Sequence, residues 1–504
     1  MVEFVKVTSN ITLDDYAAIA YLTGPVHNLR SAAELLLPNF RGRSVIMLNS
    51  TARGGGVAEM MPRIVLMLNE LGITANWAVM KVERPEFFRL TKRLHNLIHG
   101  RGDPALNMDD RKLYEEVNHG VAAALQTHLK PGDVLIIHDP QPLGVAAVLK
   151  KRLAIHIIWR CHIGVDFASE ATRAAWQFLK PYVEACDHSI FSAPEYIPDY
   201  LAGRASVIHP GIDPLSHKNR NLTPHKLTGV LCNAGLAIDH APVLTPPFSQ
   251  PATRLQPDGT FGPAASPDEI GFLYRTIVAQ ISRWDRLKGF GPLLAGFVRL
   301  KQKLRESGAA LPPRDRRRIE VVRLVLAGPE PNSVKDDPES REVLGELRQA
   351  YRNLKPEFQK DIALLSLPMG SQKENELMVN AIQRCASIVV QNSLQEGFGL
   401  TVTEAMWKGT PVLGTEACGL RQQIRDGIDG RLIHNPEDPD EIATCLEEML
   451  SNYGERERLA RNGLRRVFTE FLVFVQVEHL LRVLTGCIAE SERKMPENMM
   501  LRAA

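Results

Sequence analysis

Short, uninterrupted apolar runs recur along this chain in two series, each run followed by a glycine or polar turn and then by a stretch with helical spacing. Strands that are apolar throughout cannot expose either face, so they must lie parallel in a sheet covered by helices on both sides. In the first series, Ser44–Asn49 leads through Gly54-Gly55-Gly56 into an amphipathic stretch from Val57 to Leu71. Asp133–His138 ends in His138-Asp139-Pro140 before helical spacing resumes at Leu143–Leu153, and Ile155–Trp159 ends in Arg160-Cys161-His162. The second series runs through Ile277–Ile281, Val321–Ala327, Ile362–Leu367, Ile388–Gln391 and Pro411–Gly414. The expected fold class is α/β, with two doubly wound domains whose polar strand ends face ligand crevices.

A length of 504 residues fits that division, because single cores rarely grow beyond about 250–300 residues. Residues 1–40 read as a helical leader, with Thr12-Leu13-Asp14-Asp15 as a cap and Pro38 as a stop. Residues 41–220 form the first domain and 271–470 the second. Between them, 221–270 is rich in Pro, Thr, Asn and Gly and reads as a linker or insertion; 471–504 reads as a final helix with a polar tail.

Sixty basic against 58 acidic residues leave a net charge of +2, too small a field to imply nucleic acid or anionic lipid. The run Arg314-Asp315-Arg316-Arg317-Arg318 has no interleaved aromatics and reads as a solvated face. Seven scattered cysteines without a CxxC suit free thiols, and no His, Cys, Asp or Glu cluster has metal-ligand spacing, so no metal is expected. With no signal-peptide pattern and no apolar run of about 18 residues, a soluble cytoplasmic protein without a membrane partner is expected. Nothing in the sequence excludes a homodimer.

The stretch from Gln391 to Met406 carries the most chemistry. Gly397 and Gly399, flanking Phe398 after a strand, let backbone approach a ligand, and a helix starting near Leu400 presents unpaired N–H groups to a phosphate. Glu396 in the loop and Glu404 in the helix would reach different parts of one extended ligand. On these residues alone a tight turn, with Glu404 complementing the helix dipole, explains the pattern equally well. Two carboxylates also suit glycoside hydrolysis, but a loop-and-helix placement gives no reason to set them on opposite sides of one bond.

This stretch, with its Glu-x7-Glu spacing, resembles the signature of the GT4 family of retaining glycosyltransferases. The segment Ser282-Arg283-Trp284-Asp285-Arg286-Leu287-Lys288-Gly289, directly after the first strand of the second series, resembles the same family's cation-bearing element. The resemblance implies that Arg283 and Lys288 grip the donor diphosphate, that Glu404 takes the donor ribose hydroxyls, and that Glu396 lies near the transferred hexose. Gly397, Phe398, Gly399 and Leu400 would line the donor. A departing nucleoside diphosphate gathers negative charge, which fixed cations aimed at it stabilise.

In the first half, Asn49 through Glu59, His138-Asp139-Pro140-Gln141-Pro142, Trp159-Arg160-Cys161-His162-Ile163 and Ile212-Asp213-Pro214-Leu215-Ser216 resemble the trehalose glycosyltransferring synthases (TreT), a GT4 branch. The similarity runs from about Leu13 to Phe474. It implies the GT-B fold, two Rossmann-like domains facing a central cleft with the last helix crossing back. The activity implied is retaining, reversible transfer of glucose from an NDP-glucose (UDP-, ADP- or GDP-glucose) to free glucose, giving α,α-trehalose. The nucleotide sugar is a co-substrate, and no cofactor is obligatory. Gly55 and Gly56 would touch donor phosphate and acceptor, and His162 would stabilise the hexose. His138, Asp139, Arg160 and Glu59 would bind the acceptor. A donor phosphate oxygen would take the acceptor's proton, which agrees with the lack of a nucleophile and base pair. The family follows its Arg-Cys-His-Ile with an aspartate at once; here Gly164-Val165 precede Asp166, so that acid's role does not carry over. The rivals are a trehalose phosphorylase, whose relatives are much longer, another GT4 hexosyltransferase with a different small acceptor, and an inactive nucleotide-sugar sensor. The intact Arg283, Lys288, Glu396 and Glu404 argue against the sensor.

Overall fold

A computed structural model describes residues 2–52, 56–238, 248–266, 268–307, 311–331 and 338–494. The chain divides into two compact units, one comprising residues up to Gly211 and again from Glu470, the other Ile212–Thr469.

Among the described residues of the first unit, seven strands form one sheet: β1 (Val2–Val5), β2 (Ser44–Asn49), β3 (Thr74–Met80), β4 (Val134–His138), β5 (His156–Cys161), β6 (His188–Phe191) and β7 (Ala205–Val207). Their order is β1-β3-β2-β4-β5-β6-β7, parallel throughout except for β1, which pairs antiparallel with β3. β4 and β5 are buried along their whole length, as expected for strands covered on both faces. The strand order reverses between β2 and β4, and such reversals leave a crevice at the strands' carboxyl ends. Gly56 opens the helix that follows β2, and His138 closes β4.

The segment 1–40, expected as a helical leader, also supplies β1. Its four residues are half-exposed at the sheet edge, too short for a period-two pattern to stand out. The helices Leu13–Ala17 and Thr23–Leu36 follow, the first with a Thr12–Asp15 capping box. Thr23–Leu36 buries Val26, Leu29, Ala32 and Ala33 and packs against the helix Val473–Lys494, which buries Leu480, Leu481 and Leu484.

In the second unit the described strands are β8 (Thr253–Leu255), β9 (Phe261–Pro263), β10 (Ile277–Ile281), β11 (Arg323–Pro329), β12 (Ile362–Leu367), β13 (Ile388–Val390), β14 (Val412–Thr415) and β15 (Arg431–Ile433). Their order is β15-β14-β13-β10-β11-β12-β8-β9, so the reversal falls between β10 and β13. The core gathers the helix Phe290–Ser307, the helix Pro439–Ser451 and the strand faces around Val278, Leu324, Leu364 and Val390. The segment 221–270, expected as a linker or insertion, contributes the helix Pro224–Asn233 and the hairpin β8–β9, with β8 antiparallel to β12. The hairpin's strands have three residues each and its turn holds Pro257-Asp258-Gly259, so turn residues dominate the local composition. No helix among the described residues is long and apolar enough to cross a membrane.

Candidate functional site

The second unit assembles its polar groups where the strand order reverses. β10 and β13 are parallel neighbours, so the loop after each leaves the sheet at the same carboxyl end. Two amides fasten the loops together. Gln280 accepts the Asn392 N–H at 2.9 Å and donates to the Lys288 carbonyl at 2.7 Å, while Asn392 donates its side-chain amide to the carbonyls of Gly289 (3.1 Å) and Pro436 (2.9 Å). Gly289 ends the first loop with φ 60°, and a Cβ there would stand 2.0 Å from the Asn392 carbonyl oxygen. Trp284, fully buried, anchors the same loop by donating to the Pro329 carbonyl at 2.8 Å.

This fastening delivers Lys288 to Glu396. The ammonium lies 2.6 Å from Glu396 Oε2, with only 14% and 11% of the two side chains exposed. Ser393 Oγ (3.0 Å) and Gln391 Nε2 (3.3 Å) donate to the same oxygen, so the carboxylate is satisfied by a cation and two neutral donors. Arg283 differs: 61% of its side chain is exposed, and its carboxylate partner is Asp285 at 3.4 Å. One cation is therefore held in a buried pair and the other stands exposed beside a longer one.

Gly397 and Phe398 lead to Gly399, which caps the helix Leu400–Trp407 in the left-handed region at φ 88°. Gln423 accepts the Thr403 N–H at 3.0 Å and donates to the Phe398 carbonyl, holding the helix start against the loop. The amides of the first turn, at Leu400 and Thr401, lack acceptors within the helix, the usual anion-binding feature of a helix start. Glu404, buried one turn further on, has Lys218 Nζ 3.7 Å from its Oε1. Lys408 donates to the Glu404 carbonyl (2.9 Å) and to Asn219 Oδ1 (3.2 Å). Burial pulls the Lys408 ammonium below the ordinary lysine range, against the Glu404 carboxylate.

In the first unit, β4 and β5 pair with His138 opposite Arg160. Side chains alternate along a strand, so His138, Arg160 and His162, two residues on, share a face. His138 Nδ1 lies 3.0 Å from His162 Nε2. Asp139, at φ 61°, accepts the His162 backbone N–H at 2.9 Å, and its carbonyl accepts from Trp159 Nε1 at 3.0 Å. Burial pushes the Asp139 carboxyl up to about 6, although the His162 N–H and Arg160 oppose that, and burial draws Arg160 down to about 10. Burial and the Arg160 charge push both histidines well below their usual range, and His138 adds to the effect on His162, so both rings are neutral. Gly56 opens the helix Gly56–Glu70 and Glu59 is exposed in its first turn; Gly55 lies outside the described residues.

The fold thus brings together Lys288 with Glu396 in one unit, and His138, Asp139, Arg160 and His162 in the other. Sequence reasoning missed Gln280, Gln391, Asn392, Ser393, Lys218 and Gln423. Gln391, Asn392 and Ser393 adjoin Glu396 and had a signal, being polar directly after an apolar strand. Gln280 is a lone polar residue inside an apolar run, while Lys218 and Gln423 lie far from the residues they serve.

Two family models match, the trehalose synthase N-terminal domain over residues 47–198 and the glycosyl transferases group 1 over 273–466. The chain is 30% identical over 480 residues to the trehalose synthase of Pyrococcus horikoshii, covering 94% of this chain and 96% of that one. It is 25% identical over 426 residues to a trehalose phosphorylase of Pleurotus pulmonarius, covering 80% of this chain but 52% of the longer relative. Among solved structures, the α,α-trehalose-phosphate synthase (UDP-forming) of Burkholderia xenovorans in complex with glucose-6-phosphate superposes with a TM-score of 0.63 at 17% identity, over 88% of this chain and 100% of that one. Two parallel-sheet units and this likeness show the GT-B fold, and the match to the glycosyl transferases group 1 makes the chain a glycosyltransferase. Within that class the chain belongs to the trehalose synthase family, of the GT4 type.

Proposed function

We propose that this enzyme moves glucose, with retention, from an NDP-glucose to free glucose and forms α,α-trehalose reversibly. The observation that carries this reading is the Lys288–Glu396 pair, with exposed Arg283 in the same loop, at the strand-order reversal of the second unit. In this reading Arg283 and Lys288 bind the diphosphate and neutralise it as the glycosidic bond to phosphate breaks. The first turn at Leu400 adds backbone donors to a phosphate, with Gly397, Phe398 and Gly399 bringing the chain close. Glu404 accepts from the ribose hydroxyls, with Lys218 Nζ 3.7 Å from its Oε1. Glu396 is assigned to the hexose, as is His162, while Asp139 and Arg160, and Glu59 on its helix, are assigned to the acceptor. Gly55 and Gly56 are assigned to the donor phosphate. The acceptor hydroxyl loses its proton to a donor phosphate oxygen as the new C–O bond forms on the face the diphosphate leaves.

Support for glucose as the acceptor comes from the near full-length match to trehalose synthases. The test is a matrix of UDP-, ADP- and GDP-glucose against glucose and other small sugars, with products read by NMR. α,α-Trehalose with release of nucleoside diphosphate is expected for glucose. Glucose 1-phosphate from trehalose plus inorganic phosphate, with no product from any nucleotide sugar, would replace this reading with phosphorolysis.

A further inference from the structure

The two histidines of the first unit, coplanar and joined edge to edge, constrain each other's protons. Their ring planes are 8° apart with centroids 5.3 Å from one another, and one nitrogen of each ring meets the other at 3.0 Å. A neutral imidazole carries a single N–H, so one ring must donate across this contact and the other accept. The two outer nitrogens, His138 Nε2 and His162 Nδ1, are buried without a hydrogen-bond partner among the described residues, as is Arg160 Nη2. Unpartnered buried polar atoms are costly, and a polar ligand reaching His162 Nδ1 would relieve that cost at the strand end. The proton count then has only two solutions. When His138 donates through Nδ1, His162 must carry its hydrogen on Nδ1 and offers a donor there. When His162 donates through Nε2, its Nδ1 is a bare acceptor and His138 offers Nε2–H.

We propose that His138 is a positioning residue acting through His162, setting whether His162 Nδ1 offers a hydrogen or a lone pair to a sugar hydroxyl. A hydroxyl is both donor and acceptor, so it matches either state of the pair, and the ligand class is a neutral polyhydroxylated sugar. The buried Arg160 charge beside the rings favours this arrangement by disfavouring a third proton on the pair. The ligand class rests on the proposed function, whereas the tautomer coupling does not.

The test uses the full chain with ¹⁵N-labelled histidine. Without any ligand, the nitrogen shifts of His162 should report one dominant tautomer, and His138→Leu should change the tautomer populations. His138→Asn, which keeps polar hydrogen-bonding atoms beside His162 Nε2, is made in parallel and should retain one dominant tautomer if leucine disturbs the strand end. In the transfer assay, His138→Leu should lower kcat/KM about tenfold to a hundredfold, the range for losing a buried hydrogen bond. The double variant with His162→Ala should be no slower than His162→Ala alone. Multiplicative losses in the double variant, or His162 shifts identical in wild type, His138→Leu and His138→Asn, would overturn the coupling. If no donor and acceptor pair gives product, the proposed function fails while the nitrogen shifts still decide this inference.

Discussion

Lys288 and Arg283 are both cations of one loop, but their surroundings give their removal different costs. Arg283→Ala deletes an exposed side chain, so stability should hold within about 0.5 kcal/mol while turnover falls about a hundredfold or more. Lys288→Ala also leaves Glu396 without its cation, and should cost about 3 kcal/mol of stability besides turnover. Adding Glu396→Gln should return part of that stability and none of the turnover; urea midpoints beside kcat decide, and equal midpoints for the two single variants would contradict the burial of Lys288. Asp139 belongs to the same scale. Its folded pKa of about 6 lies above the unfolded value of 3.8, so the stability it contributes is complete below pH 4 and lost as pH rises through 6. Asn tolerates the positive φ and keeps an oxygen for the His162 N–H, so Asp139→Asn isolates the charge. Relative to that variant, wild type should lose up to about 3 kcal/mol between pH 4 and pH 7, less whatever solvent contact Asp139 keeps. A pH-independent difference in denaturation midpoints would refute the assignment.

Elements hold these residues in place, and the loop joint is where they are most vulnerable. Gly289 needs φ 60° and has no room for a Cβ beside the Asn392 carbonyl, whereas Gly409, at φ 68°, faces open space. Gly409→Ala should cost about 1 kcal/mol and Gly289→Ala about 3 kcal/mol or more, with loss of nucleotide binding because Lys288 shifts with the loop. Thermal unfolding with calorimetric titration of a nucleoside diphosphate checks this, and similar behaviour of the two variants would count against the joint. At this scale the longer apolar strands, β2, β4, β10 and β12, were legible because an unbroken apolar run is a local signal. β3 was not, since its outer end alternates with exposed residues at Thr74 and Asn76, and β8 and β9 were hidden by their turn.

For the molecule as a whole, each unit presents its polar loops at its own strand-order reversal. A nucleoside diphosphate bound by the second unit should stabilise it by about 2.7 kcal/mol at a hundred times its Kd. Hydrogen exchange should then slow between Ser282 and Gly289 and between Gln391 and Glu404, and the effect should disappear in Arg283→Ala. Protection confined to the β4–β5 strand ends would move the nucleotide to the first unit and overturn the proposed roles.

Sequence alone determined that the chain builds two series of buried parallel strands, and which short stretches carry its chemistry, because periodicity and close spacing are local properties. Arg283 and Lys288 share one loop, and Glu396 and Glu404 one loop and helix, so each pair could be read together. Only tertiary structure decided that β10 lies beside β13 and β4 beside β5, which sets Lys288 on Glu396 across 108 residues and His138 against His162 across 24. Strand neighbours are chosen by packing between distant segments, and no local pattern of residues encodes that choice.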